Sequence, residues 1–336
     1  MGRLFAFFFL AMCLVTGLSQ AETDVVPEKS LKTRPGAGSS PTRVLVAVYV
    51  VDLKEIDGPK QNFTADVVVR LRWKDPRLAS GKPGVRAYSL NEIWHPGVQV
   101  VNRFSVQTTL PEILEADQEG MIRYRQRYIG QFSTLLDLRA FPFDRQTLSI
   151  RLAAPAAASG EIEFVEDVDM GLASPLSITD WNIGRWRART EAYQVGAGGR
   201  ELAAFRLEFE ATRYFNFYLV QIVIPLTMIL CMSWVVFWID PNQSGPRISI
   251  SITSMLTLVA YRLLLGSFLP RLSFLTRMDY FVLSSTSLVF LTLLNVIFIG
   301  RLMLAQKETL AKKLDMHSRW IFPLIFLLVL YFSFFA

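Results

Sequence analysis

Side chains able to do acid–base, nucleophilic or metal chemistry are few in this chain. It has two histidines, His95 and His317, and two cysteines, Cys13 and Cys231, both in apolar runs. Four such residues spread over the sequence make neither a thiolate zinc site nor a His/Cys cluster. No G-x-S-x-G, H-E-x-x-H or phosphate-binding loop is present. The densest carboxylates, Glu161, Glu163, Glu166, Asp167 and Asp169, read as a solvated loop. The expectation is therefore a protein that is not an enzyme and needs no metal or cofactor. The chemistry on offer lies instead in hydroxyls: Ser249, Ser251, Thr253, Ser254 and Thr257 crowd one apolar stretch, 248–269. A lipid-facing helix gains nothing from them, whereas a helix lining water does.

The elements that would position such a helix follow from composition. Of the 336 residues, 51% are hydrophobic and only 19% charged, below the roughly 25% of a soluble domain. A net charge of +6 is mild and, beside long apolar segments, reads as membrane topology and not as nucleic-acid binding. Residues 1–21 have the basic start, short apolar core and small residues of a secretory signal. Residues 22–42 form a polar, Pro/Gly/Ser-rich lead-in. From 43 to 213, short β-branched and aromatic runs alternate with turn sequences, the pattern of an extracellular immunoglobulin-like β-sandwich. Residues 214–336 are expected to hold four membrane-crossing helices, about 214–239, 247–269, 279–300 and 318–336. The second is expected to have the weakest hydropathy. The linker 301–317 and its border carry Arg301, Lys307, Lys312, Lys313 and Arg319 against Glu308 and Asp315. The positive-inside rule places it in the cytoplasm, with the β domain and the C-terminus outside the inner membrane.

At about 100° per residue, Ser249, Thr253, Leu256, Ala260, Leu263 and Ser267 fall within about 40° of one line. The stripe is polar at both ends and apolar between Leu256 and Leu263, as a pore that closes by dewetting requires. Arg262 points away from it. The physics leaves a second arrangement open: a helix inside a monomeric bundle, its hydroxyls bonded back to i−4 carbonyls.

Six motifs in order then carry a resemblance: Trp73-Lys74-Asp75-Pro76-Arg77-Leu78, Trp94-His95-Pro96, Phe141-Pro142-Phe143-Asp144-Arg145-Gln146, Arg213, Pro225 and Pro270. With a β domain before four spans, the chain resembles the pentameric ligand-gated ion channels, the Cys-loop receptor superfamily, and its bacterial members in particular. The resemblance implies a ligand- or pH-gated channel, a homopentamer of identical subunits in a bilayer. It also implies that the second spans line a pore passing inorganic ions, cations by analogy with bacterial members. It places an agonist site, for an unknown small molecule or protons, near Trp94, His95, Tyr124 and Tyr193. It places domain coupling at Glu55, Ile56, Asp57, Phe141, Pro142, Phe143, Asp144, Arg213 and Pro270, with carboxylates of both loops flanking Arg213. The family's paired cysteines would fall at Thr134 and Leu148, so packing and hydrogen bonds must hold that loop. The aromatic cage for amines is depleted: Ala153–Ser159 offers no aromatic, and the capping hairpin only Tyr193. The competing function is a membrane-anchored β-domain binding protein without conductance, for which one span would suffice.

Overall fold

The computed structural model describes residues 31–158, 160–196, 199–266 and 272–335. The signal peptide, the start of the lead-in, Ser267 and Pro270 lie outside these residues.

Among the described residues, twelve strands make two facing sheets. The larger runs β10 (Gly171–Leu172), β1 (Thr42–Asp57), β2 (Asn62–Lys74), β7 (Met121–Ser133), β6 (Ile113–Ala116) and β3 (Arg86–Ser89). In it β5 (Arg103–Thr108) also pairs with β7, and β9 (Ile162–Glu166) lies parallel to the first half of β1. The smaller runs β11 (Trp181–Gln194), β12 (Glu201–Arg213), β8 (Arg145–Ala153) and β4 (Gln99–Val100). Period-two alternation sends Val44, Val46, Val48 and Val50 inward from β1, and Leu148, Ile150 and Leu152 inward from β8. Phe63 joins the layers, stacked on Phe132 at 5.4 Å and edge-on to Phe209 at 5.9 Å.

Four helices follow, each long and apolar enough to cross a membrane: α1 (Asn216–Trp238), α2 (Ser244–Leu265), α3 (Arg277–Leu304) and α4 (Glu308–Phe334). The first contains a π-turn at Leu219–Val223, just before Pro225. Pro225 has no N–H to give to the carbonyl of Gln221. The hydroxyl of Tyr261 in α2 donates to that carbonyl at 2.7 Å, so the kinked helix is satisfied by its neighbour. Thr276 and Asp279 form a reciprocal capping box at the start of α3.

Two expectations are corrected. Most of the supposed linker 301–317 is helix: α3 runs to Leu304, only Ala305, Gln306 and Lys307 turn, and α4 begins at Glu308. Lys, Glu, Ala and Leu are strong helix formers, and a search for uncharged residues cannot see a helix whose first turns are charged. Even the most apolar stretch of α4 averages below that of α2, so α4, and not α2, is the span of lowest mean hydropathy.

Candidate functional site

The face of α2 turned toward the rest of its own subunit carries Arg247, Ser251, Ser254, Leu258 and Leu265, all buried. Ser249, Thr253, Leu256, Ala260 and Leu263 lie on the opposite face and are exposed, Leu256 to 64% and Leu263 to 79%. The hydroxyls do bond back along the helix: Ser251 to Arg247 O, Ser254 to Ile250 O, and Thr253 to Ser249 O at 2.8 Å. Ser251 and Ser254 are bundle-facing, while Ser249 and Thr253 face outward. Because Thr253 gives its hydrogen to a carbonyl, what it presents to the outside is oxygen lone pairs. Arg262 is exposed and sits about 140° around the helix from Ser249.

At the boundary between β domain and helices, Arg213 ends β12. Its Nε donates to Asp144 Oδ1 at 2.8 Å and its Nη2 to Oδ2 at 3.2 Å. The guanidinium lies 4.1 Å from the Trp181 ring centre, 5.1 Å from Phe141 and 6.0 Å from Tyr218. Asp144 is 1% exposed. The second carboxylate expected beside Arg213 is absent among the described residues. Asp57 instead meets Lys60 Nζ at 2.8 Å within its own turn, Glu55 is exposed, and Ile56 joins the core of the β domain. The positive charge of Arg213 is balanced by one carboxylate and by ring faces.

The loop before Asp144 reaches α1, α3 and α4. Phe141 is buried among the helices and 4.8 Å from Tyr218, Phe143 touches Phe215 and Phe334, and Met278 N donates to Phe141 O. Two glutamines hold this loop where Thr134 and Leu148 stand in place of a disulfide. Gln61 Nε2 donates to Leu136 O and Gln61 Oε1 accepts from Leu136 N. Buried Gln146 accepts from Asp137 N, and donates to Asp137 O at 2.7 Å and to Asp144 Oδ2 at 2.8 Å. Gln146→Leu would strand these groups at about 1–3 kcal/mol for each one left buried and unpaired. We expect a thermal midpoint several degrees below wild type in the detergent-solubilised protein, with the change confined to the β domain in near-ultraviolet dichroism.

His95 and Tyr124 line one cavity of about 250 Å³ with Trp73, Arg103, Glu112 and Tyr128. Trp94 is partly buried and packs edge-on to Trp73 at 5.9 Å, while Tyr193 stands apart on β11 of the other sheet. Gly97 N–H donates to His95 Nδ1 at 3.1 Å, which fixes a neutral imidazole. Burial holds the His95 pKa below its ordinary 6.5, with Glu112 pulling weakly the other way. Burial likewise pushes the Tyr128 hydroxyl up to about 12. A depressed histidine pKa means that the unfolded chain takes up a proton before the folded one does. Stability is then lost as pH falls from about 6.5 through the folded pKa. Thermal midpoints measured across that window should fall less in His95→Gln than in wild type.

A second cleft, of about 400 Å³ and unforeseen in the sequence, gathers Arg70, Arg72, Arg123, Arg125 and Tyr124 on β2 and β7. Asp169 and Asp167 pair with Arg70 and Arg72, and Asp117 lies 3.4 Å from Arg123. Arg125 has no ion pair among the described residues. The i, i+2 spacing of Arg70 with Arg72 and of Arg123 with Arg125 was the available signal, because it sets all four on one face.

Comparison with known proteins agrees with this geometry. The family model described as the neurotransmitter-gated ion-channel ligand binding domain matches residues 26–188, and that of the transmembrane region matches residues 222–309. Together they cover well over half of the chain, in order. The chain belongs to the neurotransmitter-gated ion channels. It is 24% identical over 310 residues to a proton-gated ion channel of Gloeobacter violaceus, covering 90% of this chain and 86% of that protein. It is 26% identical over 294 residues to the gamma-aminobutyric acid receptor subunit theta of Mus musculus, and 26% over 295 residues to subunit rho-2 of Homo sapiens. Each covers 84% of this chain, which spans only 46% and 63% of those subunits' own lengths. Membership makes this a multi-pass membrane protein of a channel family, with an extracellular β domain ahead of four spans.

Proposed function

We propose that identical subunits assemble as a homopentamer in the inner membrane, β domains and C-termini outside, with α2 of each lining a gated pore. The observation that carries this reading is the outward face of α2. It is polar at Ser249 and Thr253, apolar from Leu256 to Leu263, and opposed by a fully packed face. A ring of such helices gives a conduit with a constriction that excludes water when narrow. The described part of the stripe has no charge, and its hydroxyl lone pairs favour cations. The pore opens when a ligand or protons act on the β domain, and Arg213, Asp144 and the loop 141–143 pass that change to the helices. In the β2/β7 cleft Arg125, which has no ion pair among the described residues, suits a ligand with a carboxylate, the class to which gamma-aminobutyric acid belongs; the His95 cavity suits modulation by protons. Recording from purified protein in planar bilayers, across a screen of pH, amines and carboxylates, tests the reading. Stimulus-dependent unitary currents are expected. Silent protein that is correctly assembled would leave an anchored binding domain.

A further inference from the structure

Arg247 is the charge nearest the inner end of the α2 stripe, two residues before Ser249. It leaves the helix about 160° around from Ser249 and is 1% exposed. Its Nη2 donates to Asp315 Oδ1 in α4, a carboxylate also 1% exposed. Arg319 Nη2 lies 3.4 Å from the other oxygen, and Arg319 Nε donates at 2.7 Å to Phe237 O near the end of α1. Arg247 Nε is buried without a hydrogen-bond partner among the described residues. Elsewhere α2 packs on α1 and α3, and α4 on α3 and the end of α1, so this pair ties the stripe-bearing helix directly to the last one.

Desolvating two charges makes such a pair a poor source of net stability, while removing one partner leaves a buried charge uncompensated. The consequence that matters is where the positive charge sits. We propose that Asp315 is a selectivity-determining residue. By clasping Arg247 inside each bundle it keeps a ring of guanidinium charges out of the inner mouth of the pore. This rests on the pentameric-pore reading. Without the carboxylate, Arg247 relaxes toward water at the inner end of α2, within a Debye length of about 8–10 Å of the ion path. Repeated around the ring, that charge repels cations and draws in anions. Asp240, Glu308 and Lys312, exposed at the same end, form a background that the substitutions leave unchanged.

The test is the reversal potential under a KCl gradient. In Asp315→Asn it should move toward the chloride equilibrium potential, with the potassium-to-chloride permeability ratio falling about threefold or more. Arg247→Gln with Asp315→Asn should return it to the wild-type value, a rescue that simple damage to packing would not give. Arg247→Gln alone should leave it unmoved, because that charge is already hidden. An unmoved reversal potential in Asp315→Asn, or a rise in cation preference in Arg247→Gln, overturns the proposal. Should Asp315→Asn fail to assemble, Arg247→Gln decides alone. Wild-type protein without current under any stimulus removes the pore itself, a result distinct from a conducting channel whose selectivity ignores Asp315.

Discussion

Leu256→Ser is expected to give channels that conduct without stimulus, or that open at a stimulus about tenfold weaker than wild type needs. Leu256 is 64% exposed on the outward face, between the hydroxyls of Thr253 and the small Ala260. In a closed ring its side chains meet one another across the axis and strip water from a passing ion. A hydroxymethyl group in each subunit hydrates that constriction and lowers the free energy of the open state relative to the closed one. A shift of only about 1.4 kcal/mol, summed over all subunits, is a tenfold change in the gating equilibrium. Burying or exposing one leucine is worth about 1.5–3 kcal/mol, so the effect is well within reach of the substitution. Assembled mutant with wild-type resting leak and wild-type sensitivity would remove Leu256 from the gate.

Arg213→Ala should abolish most of the stimulus-evoked current while leaving assembly largely intact. The arginine makes two hydrogen bonds to Asp144 and lies over three rings drawn from β11, the 141–144 loop and α1. Coupling energies of order 1–3 kcal/mol, or about 5–150-fold in an equilibrium, are typical of such transmission. Asp144→Asn should give a milder loss, since Gln146 and one Arg213 bond persist. Arg213→Asp alone should be nearly silent, and adding Asp144→Arg should restore only part of the response. The aromatic cage selects a cation at position 213, and a carboxylate placed against ring faces is repelled. If the double variant is no better than the sum of the singles, the two residues do not act as a coupled pair.

What could be read from the sequence was what local periodicity controls. The α2 stripe is set by the 3.6-residue turn, so Ser249 to Leu263 fell on one face whatever their neighbours did. Alternation in the strands marked the β domain for the same reason. Long-range pairing was hidden: nothing local shows β9 lying parallel on β1, or Gln146 standing in for a disulfide. Asp57 is near enough in sequence to Lys60 to be satisfied within its own turn, which a family-based placement beside Arg213 overlooked. Asp315 lies in a charged stretch that composition alone marks as linker; because α4 starts at Glu308, Asp315 and Arg319 share a helix face turned toward Arg247 and Phe237. Within one subunit Trp94 packs edge-on to Trp73, and Tyr193 does not line the cavity that joins His95 to Tyr124.

The most direct test of the central claim is thiol accessibility along α2, read as current. With Cys13 and Cys231 replaced by serine, single cysteines are placed at 249, 253, 256, 260 and 263, and, for comparison, at 251, 254 and 258. A hydrophilic thiol reagent should irreversibly change the current through the first set and leave the second untouched. Reaction confined to 251, 254 and 258 would mean that the packed face and not the hydroxyl stripe meets the ions, and would contradict the account.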